Sequence, residues 1–221
     1  MDSIVQNCSW NTFMKLNELM GSDDRALVPA QPAFSRNDWQ RLLVHLGENP
    51  SRQGLLETPA RVEKAWRHWT SGYAENAADI LKTFEDGAEQ YNELIVVSGI
   101  PVYSHCEHHL APFFGTATIG YIPDGKIVGL SKLTRLVDCF ARRLQVQERL
   151  TMQIAEALMQ HLSPSSVGVV IRCRHMCMES RGIQRSGEET TTSALLGRIR
   201  TDAALRSEFF ALAKERASSG N

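Results

Sequence analysis

The hydrophobic period of this chain changes along its length, and that change constrains the fold more than any other feature. Leu94 to Tyr103 is rich in Ile and Val and reads as a strand. Thr116 to Ile122 reads as a second strand, closed by Pro123-Asp124-Gly125. Two helical patterns follow. One starts at Ser131, with Leu133, Leu136, Val137 and Phe140 on one face. The other, near 145–162, carries Val146, Leu150, Ile154, Leu158 and Leu162 at every fourth position. Val167 to Met178 and Thr190 to Leu196 return to strand, and 201–216 reads as a closing helix. The order β-β-α-α-β-β is a segregated α+β pattern rather than an alternating βαβ one.

The chain ahead of this block is helical. Ser35 and Asp38 stand at N-cap and N3, a capping box with Asp in place of Glu. Trp39, Leu42, Leu43 and Leu46 follow at helical spacing, and Gly47 sits where a C′ residue belongs. A second helix opens at Thr58-Pro59, with Val62, Ala65, Trp66 and Trp69 on its apolar face. Residues 74–90 read as weaker helix. Residues 1–34 end in Val28-Pro29-Ala30-Gln31-Pro32 and read as an extension, partly helical around Trp10 to Met20. The expected organisation is thus an extension (1–34), a helical part (35–92) and a core (93–221).

Lys plus Arg total 24 against 25 Asp plus Glu, a net charge of −1. A protein gripping nucleic acid along its backbone shows a basic excess, so that partner is excluded and any basic site must be local. No run approaches the ~20 apolar residues that cross a bilayer, and the N-terminus lacks the pattern of a signal peptide. Five Cys, an odd and sparse count, suit reduced thiols in a cytoplasmic protein and leave sulfur free for metal.

His105-Cys106-Glu107-His108-His109 packs four ligand groups and a carboxylate into five residues. On an extended strand Cys106 would pair with His108; on a turn it would pair with His109. Downstream, His175 and Cys177 share a face if the strand runs through Met178. Two thiolates and one imidazole leave a fourth position open, the pattern of catalytic zinc, and soft sulfur favours zinc over magnesium or calcium. Cys139 and Cys173 read as packing thiols.

A second constellation is basic. Ser131 reads as the N-cap of a helix whose first turn carries Lys132 and Arg135. Cations there oppose the helix dipole, so an anion is the expected compensation. Arg181 and Arg61 can add to it, whereas Arg142 and Arg143 read as solvated surface cations. Gln147-Glu148 opens the next helix, off its apolar face. A carboxylate there complements the dipole, and it can also accept two parallel N–H bonds from the N1 and 2-amino edge of guanine.

Ser104 to His109, Gly129 to Arg135, Gln145 to Leu150 and His175 to Gly182 together resemble the motifs of zinc-dependent GTP cyclohydrolase I, in the same order and at similar separations. Gly54 to Arg61 looks like that family's N-terminal signature. The resemblance covers roughly residues 36–215. It implies a tunnelling-fold core of antiparallel sheet with two helices between strand pairs. It also implies a homodecamer with active sites between subunits, and conversion of GTP and water to formate and 7,8-dihydroneopterin triphosphate at the entry to folate and pterin synthesis. Carried onto this chain, the zinc ligands are Cys106, His109 and Cys177, with one zinc per subunit. His108 and His175 match the catalytic histidines, with Ser131 sharing proton transfers. Gln147 and Glu148 match the guanine site, and Lys132, Arg135, Arg181 and Arg61 positions near the triphosphate and ribose. His105 departs from the family's usual residue and is a spare imidazole.

These residue types suit the reaction. Zinc lowers the pKa of bound water toward ~7, so the resemblance implies zinc-hydroxide attack at guanine C8 while a histidine protonates N7. The triphosphate is not where bonds break; its clamp turns remote binding energy into orientation. A structural zinc module would lack the histidine acids. An enzyme of the same fold acting on a pterin or deazaguanine would differ in its metal ligands. A GTP-hydrolysing switch needs a G-x-x-x-x-G-K-[ST] loop, which this sequence lacks.

Overall fold

The computed structural model describes residues 35–84 and 91–214, so the expectations for residues 1–34 and 85–90 lie outside the described residues. Two compact units divide the chain between Val62 and Glu63. In the first, helix α1 (Arg36–His45) opens as expected: the Asp38 carboxylate accepts from the Ser35 backbone N–H at 2.8 Å and from its hydroxyl at 2.7 Å. Gly47 follows the helix at φ 87°, the left-handed geometry of a C′ residue. Arg36 donates to the Leu56 carbonyl at 2.8 Å. Leu42, Val44 and Leu46 remain exposed. Helix α2 (Thr58–Trp69) starts at the Thr-Pro step and runs across the boundary between the units.

Beyond α2 the weak helix expected over 74–90 is not continuous. The described part holds a 3-10 turn at Ser71–Ala74, a short helix α3 (Ala77–Ile80) and strand β1 (Thr83–Phe84). Asn76 ends the extended approach to α3 by accepting from the Ala78 N–H at 3.0 Å.

The core block follows the expected order. Strands β2 (Ile95–Cys106) and β3 (Pro112–Ile122) form an antiparallel pair. Strand β4 (Ile127–Val128) pairs with β1, and helix α4 (Leu130–Ala141), strand β5 (Leu144–Gln145) and helix α5 (Gln147–Leu162) come next. Strand β6 (Ser166–His175) is followed by a short helix α6 (Met176–Glu179), strand β7 (Thr190–Gly197), and helices α7 (Arg198–Thr201) and α8 (Ala203–Lys214). The five-stranded sheet has the order β5-β2-β3-β6-β7, antiparallel except at β5. An antiparallel sheet with two helices between its strand pairs is the tunnelling-fold arrangement.

Alternation along β6 divides the core. Val167, Val169, Ile171 and Cys173 join the main cluster with Leu133, Leu136 and Val137 of α4 and Leu150, Ile154 and Leu158 of α5. Val170 belongs to a second cluster with Ile199 and Phe209. The Phe209 ring lies on two glycines of adjacent strands: a β-carbon at Gly120 would stand 2.7 Å from it, and one at Gly168 2.8 Å. Burial on both faces explains why β6 reads as an unbroken apolar run.

Four sequence expectations need correction. Strand β2 extends to Cys106 and β3 starts at Pro112, because His105 pairs with both Pro112 and Leu144 and Cys106 pairs with Gln145. Strand β6 stops at His175 rather than Met178. Its last pair is with Phe113, and the next partner would be Pro112, which has no N–H to extend the ladder. Helix α4 starts at Leu130 with Gly129 as N-cap, so Ser131 lies in the first turn. Arg143 is packed rather than solvated: it donates to the Cys139 carbonyl at 2.9 Å and lies over the Phe140 ring. Arg142 pairs with Asp138 at 2.9 Å.

Candidate metal centre and active site

Strand β2 delivers Cys106 as its last residue, and the chain then turns sharply. The Cys106 N–H donates to Ala111 O at 2.8 Å, and Leu110 N–H returns to Cys106 O at 2.8 Å. This turn brings both neighbouring imidazoles to the sulfur: Nδ1 of His108 lies 3.7 Å from Cys106 Sγ, and Nδ1 of His109 lies 3.9 Å away. Cys177 comes from the segment that follows β6, at the same end of the sheet, on α6 rather than on a strand. The sulfurs of Cys106 and Cys177 and a ring nitrogen of His109 all lie within 4.8 Å of one another. The turn reading of the Cys-x-x-His spacing is therefore the one realised, with His109 in the triad.

The triad fits a soft divalent cation. Burial and the neighbouring Cys106 sulfur both push the Cys177 thiol up, while Arg181 acts in the opposite direction. A metal bound between the two sulfurs removes that cost to Cys177. Cys173 is fully buried and pushed up to about 12 by that burial, which makes it an inert packing thiol. Cys139 is likewise buried.

His175 stands at the β6–α6 junction. Its ring stacks on Phe113 at 4.7 Å between centroids and 10° between planes. Burial holds its pKa below the ordinary imidazole value, and the Glu148 carboxylate pulls it back up. Its Nε2 lies 2.8 Å from Gln147 Oε1. Gln147 Nε2 in turn donates to Ile171 O at 3.0 Å, Thr190 O at 2.9 Å and Thr192 Oγ1 at 3.1 Å. Three acceptors around one nitrogen fix which end of the amide is which. Oε1 must accept, so the His175 Nε2 carries the proton and the neutral ring keeps Nδ1 as its acceptor.

Gln147, which the sequence places off the apolar face of its helix, is nevertheless buried. It is 2% exposed and spends its amide inside the protein. Glu148 beside it is exposed at the start of α5. Ser131 and Arg135 are exposed, and Lys132 half-buried, on the first turns of α4. Among the described residues no hydrogen bond or ion pair ties these three to the Cys-His-Cys triad. Arg181 lies near Cys177. Arg61 is exposed on the part of α2 that belongs to the first compact unit.

Sequence reasoning missed two partnerships. His105 is no spare ligand: it is buried against Trp66 and Trp69, with centroids 5.0 and 4.7 Å away, and burial lowers its pKa. Glu107, within the turn, accepts from Arg149 of α5 at 2.6 and 3.1 Å. That guanidinium holds the Glu107 carboxyl below the usual carboxylate range. Neither pairing has a local sequence signal, since the partners stand 36 to 42 residues apart.

Sheet, helices and triad together define a tunnelling-fold protein with a candidate transition-metal centre beside a fixed histidine. Comparison with known proteins narrows the class. The sequence pattern of GTP cyclohydrolase I matches residues 35–214. GTP cyclohydrolase 1 of Janthinobacterium sp. (strain Marseille) is 77% identical over 189 residues, covering 85% of this chain and 96% of its own. That of Nitrosospira multiformis is 71% identical over 181 residues, covering 82% and 95%. A third, from Corynebacterium glutamicum, is 54% identical over 176 residues, 78% of this chain and 88% of its own. The chain belongs to the GTP cyclohydrolase I family of zinc-dependent enzymes, whose reaction converts GTP to 7,8-dihydroneopterin triphosphate.

Proposed function

We propose that in this chain the family reaction, GTP and water to formate and 7,8-dihydroneopterin triphosphate, runs at a zinc ion held by Cys106, His109 and Cys177. The observation that carries this reading is the convergence of those three ligand atoms within 4.8 Å from two distant segments. Zinc bound there supplies a Lewis acid that activates water at neutral pH for attack on guanine C8.

The chain's own residues do the rest. Glu148 accepts N1–H and the 2-amino group of guanine through its two carboxylate oxygens. Gln147, with its amide committed internally, leaves that recognition to Glu148 and serves by holding His175. His175 and His108 hold and deliver protons, first at N7 and later as the ribose opens and the pterin ring closes, with Ser131 sharing those transfers. Lys132, Arg135, Arg181 and Arg61 bind the triphosphate and ribose and so orient the base.

The active unit in this reading is a homodecamer in the cytoplasm, with sites completed between subunits. Two observations support it. Among the described residues no hydrogen bond or ion pair ties Ser131, Lys132 and Arg135 to the triad, and apolar side chains at Leu42, Leu46, Tyr103 and Leu130 are exposed. No described helix is long and apolar enough to cross a membrane.

The deciding experiment is incubation of purified, metal-analysed protein with GTP. Formate release and a pterin absorbance should rise together. GDP with phosphate, or no reaction from fully zinc-loaded protein, would refute the assignment.

A further inference from the structure

Glu107 and Arg149 stand outside every role assigned so far. Glu107 sits between a metal-site cysteine and His108, and Arg149 is the third residue of α5, directly after Gln147 and Glu148. The two side chains form a two-pronged bridge at 2.6 and 3.1 Å. Glu107 Oε1 also lies 3.9 Å from His108 Nε2. The backbone runs the same way: the Glu107 N–H donates to Gln145 O at 3.0 Å, and Cys106 is paired with Gln145 in the sheet.

We propose that the Glu107–Arg149 bridge is a positioning device, fixing the His108–His109 turn against the end of α5 that presents Glu148 and Gln147. The inference rests on the functional reading above, because that reading puts the reacting ring between the turn and the helix end. One prong and one backbone bond would leave the turn free to pivot about the Cys106–Gln145 pair. A planar guanidinium gripping both carboxylate oxygens removes that pivot.

Exposure separates this role from a stabilising one. The two side chains are 44% and 31% exposed. A bridge so wetted adds little to folding stability, yet its geometry still constrains orientation. Arg149 grips Glu107 and acts through it and the turn. A displacement of about 1 Å at a reacting group can cost about a hundredfold in rate, so a smaller pivot suffices for a measurable loss.

The test is a double-mutant cycle of Glu107→Gln, Arg149→Met and their combination. Each single variant and the double should lose about tenfold in kcat, with KM within about twofold of the parent. Zinc stoichiometry and melting temperature should stay at the parent values. Arg149→Lys, with one prong, should fall between parent and Met variant. Cobalt(II) substitution gives a readout that needs no turnover: the ligand-field bands should shift alike in both singles and the double, because His109 rides on the turn. Additive losses in the double variant overturn the proposal, as does parent-like ligand field in the variants. A rate loss traced to missing zinc or a lowered melting temperature also overturns it. A parent protein inactive on GTP sinks the functional reading instead, and the cobalt spectra then decide the positioning role alone.

Discussion

Gln147 Oε1 accepts from His175 Nε2 at 2.8 Å, and this contact joins the buried start of α5 to the last residue of β6. The contact is one end of a directed network. The Thr151 hydroxyl donates to Gln147 O at 2.7 Å, and it has one proton to give. The 2.6 Å contact between Thr151 and Thr192 must then run from the Thr192 hydroxyl to Thr151, leaving Thr192 Oγ1 to accept from Gln147. These contacts have a consistent direction, so His175 is held in one tautomer before substrate arrives.

Gln147→Ala should therefore hurt twice. It strips the side-chain donor from Ile171 O, Thr190 O and Thr192 Oγ1 and opens a cavity, at a cost of about 2–4 kcal/mol in urea unfolding. It also frees the His175 ring, and kcat should fall about tenfold or more. Gln147→Glu separates the effects: it keeps an acceptor for His175 but while ionised has no N–H to offer Ile171 O, Thr190 O or Thr192 Oγ1. A Gln147→Ala protein with parent stability would show that the network is dispensable.

A packing prediction concerns the far side of the sheet. Gly120 and Gly168 are neighbours across β3 and β6, and the Phe209 ring occupies the space their missing side chains leave. Gly120→Ala or Gly168→Ala should each cost about 1–3 kcal/mol through overpacking. Placed in a Phe209→Leu background, either substitution should cost much less, because the obstructing ring edge is gone. Equal costs in the two backgrounds would mean that the clash is relieved elsewhere.

These glycines illustrate how the sequence could and could not be read. The β-β-α-α-β-β order was legible because α4 and α5 each bury one stripe, Leu133, Leu136 and Val137 in one and Leu150, Ile154 and Leu158 in the other. The ligand cluster was legible because its residue types are rare and clustered, while spacing alone left the choice between His108 and His109 open. The ends of strands were not. Whether β6 stops at His175 depends on Pro112 across the sheet, a partner more than sixty residues earlier, and no local pattern carries that information. The burial of Gln147 was not legible for a similar reason. A polar residue beside Glu148 falls off the apolar face of its helix, and only β6 and β7 passing above it supply the acceptors that make burial tolerable.

His105 gives a pH prediction. Burial against Trp66 and Trp69 lowers its pKa below the ordinary 6.5, so between the lowered value and 6.5 the unfolded chain binds more protons than the folded one. Stability from the neutral ring is fully present above about pH 6.5 and is lost as pH falls through the folded value. His105→Phe keeps an aromatic ring between the tryptophans and removes the titration. Its unfolding free energy should fall less steeply than the parent's below about pH 6.5, compared at equal zinc content. Parallel pH profiles would contradict the assignment.

The metal ligands can be distinguished from the histidine beside them. His108 and His109 lie almost equally close to Cys106 Sγ, at 3.7 and 3.9 Å, so distance to one sulfur does not choose between them. Closeness to Cys177 as well does choose, and only His109 meets it within the 4.8 Å triad. Cys177→Ser and His109→Ala should therefore lose zinc and activity together, with affinity down by more than about tenfold since a ligand, not merely its support, is removed. His108→Ala should keep about one zinc per chain and lose turnover by about a hundredfold or more, as expected for a general acid. Zinc content by atomic absorption, read beside formate release, separates the two outcomes. If His109→Ala retains its zinc while His108→Ala loses it, the ligand is His108 and the turn is set differently once metal is bound.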